Sequence, residues 1–363
     1  MKPGPVTRGS REILSQTKYF KSQFGFGMAA HSVSWGLPLP QPAHEGREAS
    51  SRCATIDQAS TDPMKRRWPK IVVRVLLVVV GVPAVLLGAI LAWGYFADST
   101  NGSMVSSGVT RRYLLYVPKS YHQAKPAALV ISIHPAATWG AFERNISRWN
   151  ELAEQYGFIV VYPNGSGAFF GGFSAGAHVW PAGPHSLPRD ARFISELIDK
   201  LEREYNIDGK RIYVDGMSNG GGMAFALSCE LPDRIAAVGV VAGALEGDRN
   251  CRDPRPVPTI VFHGTADKFA AYEGGKPAIA PVRLENIPDW VARVAQRNQC
   301  TGNANESRVS ASVRRVVYSG CAKNADVVFY TIEGGGHTWP GGKHLPEWIA
   351  GRTTDEISAS RLM

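Results

Sequence analysis

The sequence predicts one α/β domain with a mostly parallel central sheet flanked by helices, preceded by a single transmembrane helix. Three observations carry this expectation. Strand-like apolar runs alternate with helix-periodic stretches over about 260 residues, the pattern of a parallel sheet with crossover helices. One of those runs, Arg211-Ile212-Tyr213-Val214, leads into Gly216-Met217-Ser218-Asn219-Gly220 and then Gly221 to Leu227, which reads as strand, sharp turn and helix. Finally, Val75 to Phe96 carries no charge and would be about 33 Å long as a helix, enough to cross a bilayer.

Along the chain, residues 1–63 mix Ser, Gly, Pro and isolated charges without sustained periodicity, so they are expected to be disordered or a mis-assigned extension upstream of Met64. Gly25-Phe26-Gly27-Met28-Ala29-Ala30 has no strand around it and is discounted as a dinucleotide loop. Residues 64–96 form a basic flank plus signal anchor. Lys65, Arg66, Arg67, Lys70 and Arg74 precede the apolar run, and positive residues stay inside, so the rest of the chain faces outward. A signal peptide cleaved before export is the alternative, although no clean Ala-x-Ala site follows. Residues 97–107 read as a linker and 108–363 as the folded domain. The net charge of +9 is concentrated in the anchor flank, which makes it a topology signal and argues against nucleic acid as a partner.

Within the domain, Ala128 to Ile133, Phe158 to Tyr162, Arg211 to Val214, Pro258 to Phe262 and Val327 to Ile332 are the expected strands. Leu152 to Tyr156 reads as a helix tail. Phe193, Ile194, Leu197, Ile198 and Leu201 recur at helical spacing and should pack one helix face on the sheet.

The chemistry is expected at the strand ends. In the G-x-S-x-G turn the chain reverses so tightly that the Ser218 hydroxyl is exposed, and the following helix aims its amino terminus at a developing oxyanion. A serine nucleophile needs a base and an orienting acid, which follow in the order Ser, Asp/Glu, His. Asp267 comes just after the Pro258–Phe262 strand, and His337 lies in a triple-glycine loop after Val327–Ile332. Asp248 and Asp253 compete less well, because no strand of their own precedes them. His344 is a more distant rival base, and His263 suits buried structure at a strand terminus. The oxyanion donors are expected to be the backbone N–H groups of Asn219 and Ala136, since Pro135 has none to give.

Cysteine usage agrees with the topology. Cys53 falls on the inner side, whereas Cys229, Cys251, Cys300 and Cys321 fall outside, where disulfides persist. Three pairings are possible, and the short local loops favour Cys229–Cys251 and Cys300–Cys321. Clustered His/Cys spacing is lacking, so neither a metal nor any other cofactor is implied. The oligomeric state is not legible.

Tyr113-Leu114-Leu115-Tyr116-Val117-Pro118, Phe158-Ile159-Val160-Val161-Tyr162-Pro163, Tyr205-Asn206-Ile207-Asp208, Gly216 to Gly221, His263-Gly264-Thr265-Ala266-Asp267 and Gly336-His337-Thr338-Trp339-Pro340 occur in order. Together they resemble the α/β-hydrolase esterase family that includes polyhydroxybutyrate depolymerases and feruloyl or acetylxylan esterases. The resemblance covers about residues 108 to 363 and implies Ser218, Asp267 and His337 as nucleophile, acid and base. It also implies two departures. The oxyanion loop has His134-Pro135 where the family has His-Gly, and the family's closing helix would be represented only by its first turns near Ile357 to Met363.

The expected function is therefore hydrolysis of a carboxylic ester through an acyl-enzyme. A tethered binding domain with impaired catalysis, or a serine peptidase, are the alternatives. Phe169, Phe170, Phe173 and Trp180, in a glycine-rich loop, and Trp339, beside His337, are expected to wall an acyl or aryl pocket. The short stretch after His337 leaves no room for a polymer-binding module. That favours soluble esters such as hydroxyalkanoate oligomers or feruloyl and acetyl sugar esters.

Overall fold

A computed structural model of the chain describes residues 72–97, 99–170, 173–180, 187–244, 251, 255–276 and 283–363, with the side chains of 90–97 and 168–177 outside that description. Two compact units divide the chain between Pro63 and Met64, and every described residue belongs to the second. The amino-terminal extension, Cys53 and the cations Lys65, Arg66, Arg67 and Lys70 fall outside the described residues, as do Asp248 and Asp253.

Among the described residues one helix, Val72–Ala89, is long and apolar enough to cross a membrane by length and composition, and none of it is buried. Its continuation is α1 (Val82–Ala97), entered through a π-helical turn, Leu77–Gly81. The widened turn lies directly before Pro83, which supplies no N–H to the carbonyl one turn earlier.

Ten strands form one sheet: β1 (Gly102–Ser106), β2 (Val109–Tyr116), β3 (Ala127–Ile133), β4 (Ile159–Pro163), β7 (Ile207–Met217), β8 (Ala237–Val241), β9 (Thr259–Gly264), β10 (Asn305–Arg308), β11 (Val313–Tyr318) and β12 (Val327–Ile332). Their order is β1-β2-β4-β3-β7-β8-β9-β12-β11-β10. The central run from β4 to β12 is parallel throughout, and an antiparallel hairpin closes each edge. Two short strands, β5 (Gly167–Phe170) and β6 (Phe173–Val179), pair separately as a hairpin.

The parallel strands are apolar on both faces because helices cover both. Helix α4 (Leu187–Glu204) buries Phe193, Ile194, Leu197, Ile198 and Leu201 completely, the stripe predicted from its spacing. Burying five such side chains contributes roughly 10 kcal/mol of transfer free energy. With α5 (Asn219–Glu230) and α6 (Ile287–Arg297) it forms the larger core, which includes Phe225 and Trp290. On the other side α2 (Gly140–Ser147) and α3 (Trp149–Tyr156) contribute Trp149 and Leu152 against Val130, Val160 and Tyr162.

Two corrections concern the edges. The stretch 97–107 is not a plain linker: β1 pairs with β2 along its whole length, and Ser107 and Gly108, both at positive φ, make the hairpin turn. The polar segment between Cys300 and Cys321, for which no strand is expected from the sequence, carries the β10–β11 hairpin. Both favoured disulfides are present, Cys229–Cys251 and Cys300–Cys321. At the carboxyl end a short α7 (Glu347–Ala350) and α8 (Ala359–Leu362) follow β12.

Candidate active site

Strand β7 leads into the sharp turn that carries Ser218, the expected nucleophile. Ser218 sits between its last residue, Met217, and the start of α5 with φ 56° and ψ −121°, a conformation that costs a non-glycine residue of order 1–3 kcal/mol. Neighbouring contacts hold it there. Ser218 N–H donates to Val241 O of β8 at 2.8 Å, and Gly222 N–H donates to Ser218 O at 3.0 Å. The flanking glycines are required by space: a Cβ on Gly220 would lie 2.1 Å from Ile133 O, and one on Gly216 would lie 2.5 Å from Gly220 O. The elbow therefore packs backbone to backbone on the end of β3.

The expected acid and base, Asp267 and His337, lie just after β9 and β12, which are hydrogen-bonded neighbours. His337 Nδ1 donates to Asp267 Oδ2 at 2.7 Å. The other carboxylate oxygen of Asp267 accepts from Phe269 N–H and Ala270 N–H, each at 2.8 Å. The Asp267 side chain is fully buried, whereas that of His337 retains 12% exposure. Burial pushes the Asp267 carboxyl up, but the His337 hydrogen bond and charge, His263 and the Ala270 N–H outweigh it and hold the group below the ordinary aspartate value. Asp267 is thus a fixed anion with one imidazole hydrogen bond. His337 is anchored through its backbone N–H, which donates to Ala350 O, and the Phe269 ring lies against its imidazole at 5.1 Å.

The structure brings Asp267 and His337 into direct contact. Ser218 Oγ makes no hydrogen bond among the described residues. His263 is buried, as predicted, and its Nε2 donates to Ala270 O at 2.7 Å; burial holds it below the ordinary imidazole value despite Asp267 nearby. His344 instead pairs with Asp355 on the surface.

The oxyanion loop follows β3. His134 is fully buried; its Nε2 accepts from Gly165 N–H at 3.0 Å, which leaves Nδ1 to donate to Pro135 O at 2.7 Å. The Thr138 hydroxyl donates to the same carbonyl. Ala137 N–H is committed to His178 O at 2.8 Å, while Ala136 N–H donates to nothing among the described residues. Asn219 opens α5, so its N–H has no acceptor within the helix.

The aromatic wall needs correction. Trp339 is 1% exposed and its Nε1 donates to Ser360 Oγ, so it anchors the tail and offers no surface to a cleft. Trp180 is 2% exposed and its ring lies 5.3 Å from that of His134. Burial of these rings against the chain's own loops wins over solvent-facing roles. Phe169, Phe170 and Phe173 lie on the β5–β6 hairpin and not in a loop; their side chains are outside the described residues. Sequence reasoning missed Phe269, although it sits two residues after Asp267 in the same loop, and it missed the Asn219 side chain, which engages Trp180.

An open apolar groove of about 250 Å³ lies elsewhere, between α3 and the chain's end; Trp149, Asp215, Gly239 and Met363 line it, and no proposed triad residue does.

Residues 111–252 match the family described as esterase PHB depolymerase. Feruloyl esterase B of Piromyces equi is 29% identical over 245 residues, 64% of this chain and 44% of that protein. Feruloyl esterase C of Emericella nidulans is 28% identical over 274 residues, 70% of this chain and 90% of that protein. The chain thus spans less than half the length of the first relative and most of the second. Among solved structures, the acetyl xylan esterase from Aspergillus awamori matches with a TM-score of 0.49 at 17% identity, covering 63% of this chain and 89% of that chain. Over residues 111–252, then, the chain is similar to the esterase PHB depolymerase family.

Proposed function

We propose that the chain is a serine esterase that hydrolyses carboxylic esters through an acyl-enzyme. The observation that carries this reading is the 2.7 Å contact between the buried Asp267 carboxylate and His337 Nδ1, at the ends of β9 and β12, the second and third strands along the sheet from the Ser218 elbow. In the reaction His337 Nε2 takes the Ser218 proton as Oγ attacks the ester carbonyl. Asp267 fixes the imidazole tautomer and stabilises the imidazolium. The N–H groups of Asn219 and Ala136 hold the oxyanion as the tetrahedral intermediate forms. His337 then gives the proton to the departing alcohol, and a water activated by the same imidazole releases the acid. Because Ser218 Oγ makes no hydrogen bond among the described residues, its contact with His337 is proposed to be one that substrate binding completes.

Substrates are soluble esters: feruloyl or acetyl groups on sugars, or hydroxyalkanoate oligomers. The names of the relatives support this class, and Phe169 and Phe170, on the β5–β6 hairpin, are assigned to the acyl group. Residues 75–96 tether the domain to a membrane, with the hydrolase on the extracytoplasmic side. The basic flank and two disulfides in the outward part support that placement.

The test is hydrolysis of p-nitrophenyl acetate by wild type and Ser218→Ala. The variant should lose at least about 10³-fold in kcat. Equal rates would overturn the esterase reading. A panel of feruloyl, acetyl-sugar, hydroxybutyrate-oligomer and peptide substrates then identifies the class, and preference for the peptide would overturn the ester assignment.

A further inference from the structure

The end of β6 touches both halves of the proposed oxyanion hole, and it does so along one edge. In a strand, successive residues direct their N–H and C=O groups to opposite edges. Val179 is the partner of Gly167 on β5. His178 turns to the other edge, where its O accepts from Ala137 N–H at 2.8 Å and its N–H donates to Thr138 O at 2.9 Å. Trp180 faces the same way as His178, and no strand awaits it there. Its partner is a side chain: Trp180 N–H donates to Asn219 Oδ1 at 2.8 Å, and Asn219 Nδ2 donates to Trp180 O at 2.9 Å. The primary amide thus replaces one rung of a β-ladder, offering donor and acceptor in the geometry a backbone would.

Ala137 and Thr138 belong to the loop that holds Ala136, and Asn219 is the residue after the nucleophile. We infer that the Asn219 side chain is a positioning residue: by clamping Trp180 it makes the 178–180 segment a strap that fixes the spacing between the Asn219 and Ala136 N–H donors. This rests on the serine-esterase reading for its catalytic consequence, but not for its mechanics. Proline at position 135 makes such a strap useful. His134-Pro135 supplies one N–H fewer to the loop, so a cross-link from outside the loop takes over part of its positioning. The amide matters for both of its ends. Alanine at 219 removes the donor and the acceptor. Aspartate keeps the acceptor for Trp180 N–H but, when ionised, sets a carboxylate against Trp180 O.

The experiment uses the full chain with Asn219→Ala and Asn219→Asp, rates being expressed per serine titrated with a fluorophosphonate. Loosened donors are expected to lower kcat about 10- to 100-fold for small acetyl esters, with KM changing less than about threefold. The ratio of Asn219→Asp to wild-type kcat should rise as pH falls from 8 to 5, because the protonated acid can donate to Trp180 O; the Asn219→Ala ratio should stay flat. Amide hydrogen exchange reads the mechanics independently. In Asn219→Ala, faster exchange is expected at Trp180 and also at Ala137, whose N–H is bound by the strap and not by Asn219.

A kcat within twofold of wild type in Asn219→Ala overturns the proposal. So does exchange that quickens at Trp180 while Ala137 stays fully protected. If wild type shows no Ser218-dependent hydrolysis, the esterase reading fails, and exchange at Ala137 alone decides the strap.

Discussion

Two buried acids sit behind the nucleophile elbow, and one of them should govern the alkaline stability of the domain. Asp215 is on β7, three residues before Ser218, and Glu143 is on α2; they are 3% and 0% exposed. The Ser132 hydroxyl donates to Asp215 Oδ1 at 2.7 Å and lies 3.3 Å from Glu143 Oε1. Burial pushes the Asp215 carboxyl up to about 7, against the hydrogen bond from Ser132. Burial and the charge of Asp215 push Glu143 well above the ordinary glutamate value. The folded protein therefore holds a proton on Asp215 that the unfolded chain releases near its ordinary value of 3.8. Stability from this site is complete below that value and is lost as pH rises to about 7, a total of about 4 kcal/mol. About 3 kcal/mol of that loss falls between pH 5 and pH 9.

Asp215→Asn removes the ionisation and keeps an acceptor for Ser132. Thermal unfolding of variant and wild type at both pH values isolates the effect. His263, whose burial gives the opposite slope below its ordinary value, cancels in the comparison. The Tm difference, variant minus wild type, should grow by about 6–12 °C from pH 5 to pH 9. A difference that is the same at both pH values, or one that shrinks toward alkali, refutes the argument.

Further predictions concern the acid, the core and the topology. Asp267→Asn should lower kcat by about 10³–10⁴-fold per titrated serine with little change in KM, because an amide no longer favours the tautomer with its proton on Nδ1; a loss under tenfold would show that His337 works without its partner. Arg111, 5% exposed, pairs at 2.8 Å with Asp190, 0% exposed, and lies over Phe193. Arg111→Met strands that carboxylate and should cost about 3–5 kcal/mol in chemical unfolding. A periplasmic-type reporter fused after Phe96 should be active and a cytoplasmic one silent; the reverse would overturn the outward placement.

The three residues of the proposed triad were legible because each follows an apolar run that only a strand explains, and the parallel order of those runs puts their ends together. Ser218 needed nothing beyond its glycines, and Asp267 and His337 needed only their place after β9 and β12. What escaped has a common physical cause. β10, Asn305–Arg308, is polar and exposed, and β1, Gly102–Ser106, is five residues with no apolar alternation to register. Their strand state comes from pairing with β11 and β2, which no local pattern records. Trp180 and Trp339 have the composition of a binding wall, and only tertiary packing shows them turned inward. Glu143 and Asp215 look like any helix or strand acid until the elements around them close. Asn219 was legible as a backbone donor, whereas its side-chain role depends on a hairpin whose glycine and phenylalanine content reads as loop.

The placement of β12 bears on when the proposed site comes into being. Asp267 and His337 are 70 residues apart, and they meet only because β12 docks beside β9, with β11 and then β10 outside it. Parallel pairing of this kind closes a long loop before any contact rewards it, so it is a late event in folding. A chain still emerging from the ribosome or the export channel can form β7 and its elbow well before it owns a base. Such a nascent chain presents the serine without the imidazole to activate it. On the proposed triad, hydrolytic competence would then arrive only with the final third of the polypeptide, after the greater part of the domain has been made.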